Sequence, residues 1–242
     1  MLALLRFIPD RNHEMHQGIW KKTASGSMEL RGKTLGIIGY GNIGAQLSVL
    51  AESLGMNVVF FDSTEKLCLG NAVCMDSMAE VLRTADVVSV HVSGTPQNIN
   101  LIGAAQFEMM KEDAIFINLS RGYVVDIDAL AAQLRRGKLK GAAIDVFPLE
   151  PDSGEMFKSP LQSTANTILT PHIAGSTQEA QKAISGFVSN KMLNYLAVGD
   201  TRLSVNFPQT ELPHQPNSHR ILHIHKNIAG VIAGVSRVFS QQ

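Results

Sequence analysis

Neither sign of charge dominates this sequence: its 242 residues carry 21 lysines and arginines against 21 aspartates and glutamates. Such balance gives no electrostatic case for binding nucleic acid or an anionic membrane surface. Long apolar runs are missing too, since nothing approaches the roughly 18 apolar residues of a membrane-spanning helix. The opening "MLALLRFIPDRN" is briefly apolar, but it has neither a basic leader nor a small-residue cleavage site and does not read as a signal peptide. Cysteine is scarce. Cys68 and Cys74 fit neither a CxxC pair nor a disulfide framework, and they read as two reduced thiols. No internal repeat is present. What remains is an ordinary globular composition, for which the cytoplasm is the simplest compartment.

Residues 1–20 read as an amphipathic helix interrupted by Pro9, and "TASGSMELRGK" as a loop. From Leu35 onward, short runs rich in Val, Ile and Phe alternate with helical patterns. Strands are expected at 35–38, 58–61, 86–92, 114–119, within "GAAIDV" and within "TILTPH". Helices are expected at 43–54, 77–83 (with Ser77 as cap), 127–136 and 177–198, three of them followed by a glycine. Strands this apolar are buried on both faces, which predicts an α/β protein with a parallel, doubly wound sheet. Residues 206–219 contain three prolines and read as a linker; 220–242 then offer one strand, a turn and one helix. A single strand–helix unit cannot bury its own apolar face, so this tail is expected either to dock or to be cut short.

The stretch "LGIIGYGNIGAQL" carries the first chemical signal. Gly39, Gly41 and Gly44 stand at the offsets of a dinucleotide-binding turn of the Rossmann type. The first glycine allows a sharp turn, the second a close approach of the backbone to a pyrophosphate, and the third tight packing of helix on strand. Asn42, Ile43 and Gly44 open a helix whose N-terminus favours phosphate. Asp62, 18 residues beyond Gly44 at the end of "NVVFFD", stands where an acid accepts hydrogen bonds from the adenosine ribose. Ser63 and Thr64 follow it with no arginine to receive a 2′-phosphate, which favours NAD over NADP.

Three further residues follow expected strands, on the edge where such sheets bind ligands: Arg121, Glu150 and His172. Oxidation of a 2-hydroxy acid needs a base for the hydroxyl proton, a carboxylate to orient that base, and a guanidinium for the substrate carboxylate. Singly, each has a bland reading as a solvated or turn residue. Only the trio together with the glycine turn points to chemistry.

The segments "ELRGKTLGIIGYGNIGAQL", "INLSRGYVVD", "GAAIDVFPLEP", "LTPHIAGSTQEAQ" and "VNFP…RILHIHKN" resemble, in order and over nearly the whole chain, the D-isomer-specific 2-hydroxyacid dehydrogenases. The likeness is greatest to their bacterial, serine-regulated branch. It implies that Arg121 binds the substrate carboxylate beside the nicotinamide, that Glu150 pairs with His172, the acid/base, and that Asp145 contacts the nicotinamide amide. It implies NAD-dependent oxidation of 3-phospho-D-glycerate, the first step of L-serine synthesis, with turnover impaired where a first domain that forms the other wall of the cleft is missing. Another 2-hydroxy acid, or a non-enzymatic NAD(H)-sensing corepressor role, remains open beside it. Ser93 stands where the family has proline, and Ala174 where glycine is common.

The resemblance also implies a domain order. Residues 1–175 form the dinucleotide-binding domain with a leading connecting helix, 176–205 a helix that returns to a substrate domain preceding Met1, and 206–219 a linker. Residues 220–242 are the opening of an ACT-type βα regulatory unit, in which His225 and Asn227 align with serine-contacting positions. On this reading the chain is truncated at both ends, L-serine is an effector only of a complete module, and homo-oligomers form through helices beside the glycine turn. His214, His219, His223 and His225 have no cysteine or acidic ligand beside them, and no metal site is expected.

Overall fold

A computed structural model describes residues 1–213 and 215–241 and divides the chain into two compact units, Met1–Gly175 and Ser176–Gln242. In the first unit, seven strands make one parallel sheet: β1 (Thr34–Ile38), β2 (Asn57–Phe61), β3 (Ala72–Cys74), β4 (Val87–Val90), β5 (Ala114–Asn118), β6 (Leu139–Ile144) and β7 (Thr167–Leu169). Their order is β3-β2-β1-β4-β5-β6-β7, so the direction of winding reverses between β1 and β4. Parallel pairing brings the carboxyl ends of neighbours together: Ile38 pairs with Val90, Asn118 with Ile144, and Ile144 with Leu169. Side chains from every strand feed one core cluster or the other, which is why the strands read as continuous apolar runs.

The helices of this unit are α1 (Leu2–Leu5), α2 (Ile8–His16), α3 (Asn42–Ser53), α4 (Met78–Thr84), α5 (Ala104–Met109) and α6 (Ile127–Arg135). One core cluster joins the sheet to Val81, Leu82, Phe107 and Leu130 of α4, α5 and α6. The other joins it to Leu4, Leu5 and Ala51 of α1 and α3. Asn166 fastens α1 down, its amide donating to the carbonyls of Leu4 at 3.0 Å and Lys140 at 2.9 Å. The expected leading helix is two helices, because Phe7 adopts a left-handed φ of 54° between them. Pro9 falls in the first turn of α2, where its missing N–H costs nothing, so it begins a helix and does not interrupt one. Ser77 caps α4 by accepting from the Glu80 amide, and Asp126 caps α6 through Ala129; such caps contribute about 1 kcal/mol each.

The second unit contains α7 (Gln178–Val198), capped by the Thr177 hydroxyl and ended by Gly199 at φ 67°, and α8 (Val231–Ser240). Phe187, Met192 and Leu196 of α7 are exposed. The strand expected near 220–225 does not form. Residues 220–228 adopt no regular structure, because a lone extended segment has no ladder to join among the described residues. The helix expected after it does form, as α8. His214, considered above with three other histidines, lies outside the described residues.

Candidate active site at the carboxyl edge of the sheet

The glycine turn leaves β1 and opens α3. Gly39 has φ 93°, and a Cβ there would meet the His91 carbonyl oxygen at 2.7 Å. A Cβ on Gly44 would meet the Gly39 carbonyl oxygen at 2.4 Å, so these two glycines are required by contact. Gly41 differs: its φ is −84°, open to any residue, and nothing lies within 4 Å of where its Cβ would be. Open space beside a helix N-terminus, with Asn42, Ile43 and Gly44 in its first turn, is the cradle a pyrophosphate needs. Ile43 is exposed there.

Asp62 closes the next strand. Its carboxylate accepts from the Tyr40 amide at 2.8 Å and from the amide and hydroxyl of Thr64 at 2.9 Å each. Burial works against its charge, but the hydrogen bonds from Thr64 and Tyr40, with Lys66 nearby, prevail and hold its pKa below the ordinary carboxylate range. An ionised acid is thus fixed next to the glycine turn.

Arg121 lies three residues past β5. A residue not singled out from sequence, Asn118, shapes its turn. Asn118 is fully buried; its oxygen accepts from the amide and hydroxyl of Ser120, and its amide donates to the Arg121 carbonyl. The Arg121 guanidinium donates to the Ser120 carbonyl at 2.7 Å. Gly122 then passes so close to Phe147 that a Cβ would sit 1.9 Å from its carbonyl carbon. That contact joins the Arg121 turn to the loop after β6.

The loop after β6 and the loop after β7 meet through three acidic and basic groups. Glu150 accepts from the Phe147 amide at 2.9 Å with one oxygen and faces His172 Nδ1 at 2.8 Å with the other. Burial again opposes ionisation, and the bonds from His172 and Phe147 outweigh it, so the Glu150 pKa is lowered. An ionised carboxylate only accepts, so Nδ1 carries a proton in this pair, and in the neutral ring Nε2 is the lone-pair nitrogen. His172 sits at φ 54°, a left-handed conformation rare outside glycine, while its amide donates to the Asp145 carbonyl. Asp145 accounts for that conformation. Its buried carboxylate accepts from the Thr170 hydroxyl at 2.5 Å and from the Ile173 and Ala174 amides at 2.9 Å each, pinning residues on both sides of His172. A cavity of about 700 Å³ opens beside the pair, lined by Phe147, Phe157, Leu169 and Thr170 among others.

Glu150 and His172 therefore touch, whereas Arg121 is linked to them through Phe147 and makes no direct bond to either. All lie on the same sheet edge as Gly39–Gly44 and Asp62. His91 is a second residue that sequence reading passed over. It follows β4 at the switch point, its Nε2 lies 2.9 Å from the Ser89 hydroxyl, and burial pushes its pKa down to about 4.

A doubly wound parallel sheet with a glycine turn at its winding reversal and an ionised acid after β2 defines a dinucleotide-binding domain. Comparison with known proteins narrows the class. The family model for "D-isomer specific 2-hydroxyacid dehydrogenase, NAD binding domain" matches residues 1–174. The chain belongs to that family and carries its NAD-binding domain. It is 52 % identical over 240 residues to a D-3-phosphoglycerate dehydrogenase of Haemophilus influenzae, covering 99 % of this chain and 58 % of the relative. It is 49 % identical over 243 residues to the Escherichia coli (strain K12) protein of the same name, covering 100 % of this chain and 59 % of the relative. The chain thus spans less than two thirds of the length of these relatives. Among solved structures, a D-lactate dehydrogenase from Sporolactobacillus is similar with a TM-score of 0.74 and 32 % identity, covering 83 % of this chain and 63 % of the other. A D-lactate dehydrogenase with NAD⁺ from Lactobacillus jensenii gives a TM-score of 0.71 at 28 % identity, covering 79 % and 61 %.

Proposed function

We propose that this chain is the NAD-binding and proton-transferring part of an enzyme that oxidises 3-phospho-D-glycerate to 3-phosphohydroxypyruvate, the first step of L-serine synthesis. The observation that carries the reading is the Glu150–His172 pair at 2.8 Å on the same sheet edge as the glycine turn. The choice of substrate rests on the relatives named D-3-phosphoglycerate dehydrogenase. NAD⁺, held at the glycine turn, would supply the hydride acceptor. The chain's own residues do the rest: His172 Nε2 takes the hydroxyl proton, and Glu150 holds the ring at Nδ1 and balances its charge. Arg121 receives the substrate carboxylate through parallel N–H donors. Gly41, Asn42 and Ile43 would cradle the pyrophosphate and Asp62 the adenosine ribose, and Asp145, whose carboxylate also holds the His172 loop, would contact the nicotinamide amide. The same reading makes the chain self-associate through helices beside the glycine turn and makes L-serine an effector where the regulatory module is complete.

The test is NADH-dependent reduction of 3-phosphohydroxypyruvate by the purified chain, with His172→Ala beside it. Turnover that falls at least 100-fold in the variant, while NADH still binds, supports the reading. Equal rates in the two proteins contradict it.

A further inference from the structure

Tyr40 stands between the first two glycines, at a position the turn itself leaves free to vary. Its side chain is nevertheless almost wholly buried, at 3 % exposure. The ring stacks on Phe60 of β2 with centroids 3.7 Å apart. Its hydroxyl lies 2.7 Å from the Ser48 hydroxyl in α3 and receives the Leu69 amide at 3.3 Å. Ser48 gives its one proton to the Ala45 carbonyl at 2.7 Å, so Tyr40 must be the donor to Ser48. The protons therefore run in one direction: Leu69 N–H to Tyr40, Tyr40 O–H to Ser48, Ser48 O–H to Ala45. Meanwhile the Tyr40 backbone amide donates to Asp62.

One residue thus holds four parts of the dinucleotide site. The ring fixes β2, the amide fixes the ribose-binding acid, the hydroxyl reaches the middle of α3, and the same hydroxyl anchors the loop after Asp62 at Leu69. Leu69 is 38 % exposed and its loop, running from β2 to β3, has little core of its own. Without an anchor, the loop would have to be ordered each time an adenosine arrived, and binding would bear that entropy.

We infer that Tyr40 is a positioning residue for the adenosine half of the cofactor: its hydroxyl relay ties the 62–69 loop to the phosphate-binding helix, so that the ribose-binding acid and its wall are set before NAD(H) binds. The inference rests on the dinucleotide reading above, but concerns a side chain that reading does not use. Tyr40 touches no reacting atom.

Three probes test it: NADH by fluorescence titration, ADP-ribose by displacement of NADH, and reduced nicotinamide mononucleotide by titration. Hydrogen exchange at the Leu69 amide of the ligand-free chain adds a readout independent of any ligand. Tyr40→Phe is expected to weaken NADH and ADP-ribose about fivefold, the worth of one ordinary internal hydrogen bond, and to speed Leu69 exchange by a similar factor. Binding of reduced nicotinamide mononucleotide stays at its wild-type value. Ser48→Ala weakens NADH in the same direction, and the double variant is no weaker than Tyr40→Phe, because both interrupt one relay. Should Tyr40→Phe fail to fold, Ser48→Ala carries the same comparison. Wild-type NADH affinity in Tyr40→Phe with slow Leu69 exchange overturns the inference and leaves the dinucleotide reading standing. Equal losses for NADH and reduced nicotinamide mononucleotide overturn it as well, since they mark a general loosening. Failure of the unmodified chain to bind NADH removes both.

Discussion

Glu150 and His172 meet at 2.8 Å although 22 residues separate them, and each is held independently of the other. The Phe147 amide fixes the carboxylate, and the Asp145 carboxylate and carbonyl fix the backbone on both sides of the imidazole. Geometry of this kind is set before a substrate arrives. Glu150→Gln keeps an acceptor for Nδ1–H but removes the charge that balances a protonated ring. Turnover is expected to fall about 10- to 100-fold with NADH affinity unchanged, by stopped-flow and fluorescence measurements. Because the Glu150 pKa is lowered, its charge persists above that depressed value and is lost only as pH falls through it.

The contact between Gly122 and Phe147 joins the loops after β5 and β6 backbone to backbone, with no flexible side chain to give way. Gly122→Ala is expected to cost about 3 kcal/mol in urea unfolding, and to displace Arg121 with it. Its KM for the 2-oxo acid should rise more than its KM for NADH, because the guanidinium is assigned to the substrate carboxylate.

His91 makes stability depend on pH. Its folded pKa of about 4 lies below the ordinary 6.5, so the unfolded chain binds the proton more readily. Stability is therefore complete above pH 6.5 and declines as pH falls toward 4. Between pH 7 and pH 5 the loss is about 2 kcal/mol. His91→Gln, which cannot take up the proton, should lack that component when the two proteins are unfolded by urea at both pH values. Parallel losses in the two would show that His91 is not its source.

Much of this fold is legible in the sequence because parallel strands buried on both faces leave long unbroken signals, as in "DVVSVHV" and "AIFINL". β3 is not legible: three residues at a sheet edge, two of them exposed, carry no period. α5 is missed as well, since "AAQFEM" is six residues with no strong cap. The segment near 220–225 errs the other way. Its alternation suits a strand, but strand structure requires a partner. In the site, the glycine turn announces itself by spacing and residue type, whereas Glu150 and His172 stand out only together with Arg121 and that turn. Asn118, His91 and the structural duties of Asp145 do not, because their effect depends on which amides and hydroxyls the fold brings to them. The left-handed backbone of His172 is likewise invisible until Asp145 is seen on both sides of it.

Gly41 provides the most direct test of the dinucleotide site, because the fold does not need it to be glycine. Its φ suits any residue and its missing Cβ points into open space, whereas Gly39 and Gly44 are locked by contact. Gly41→Val should unfold within about 0.5 kcal/mol of the unmodified chain, as substitutions free of new contacts do. Titrated with NADH and followed by fluorescence, the unmodified chain should bind, and the variant should bind at least 10-fold more weakly because the side chain fills the pyrophosphate's place. Equal NADH affinity in the two proteins, at equal stability, would mean that no dinucleotide lies across this turn.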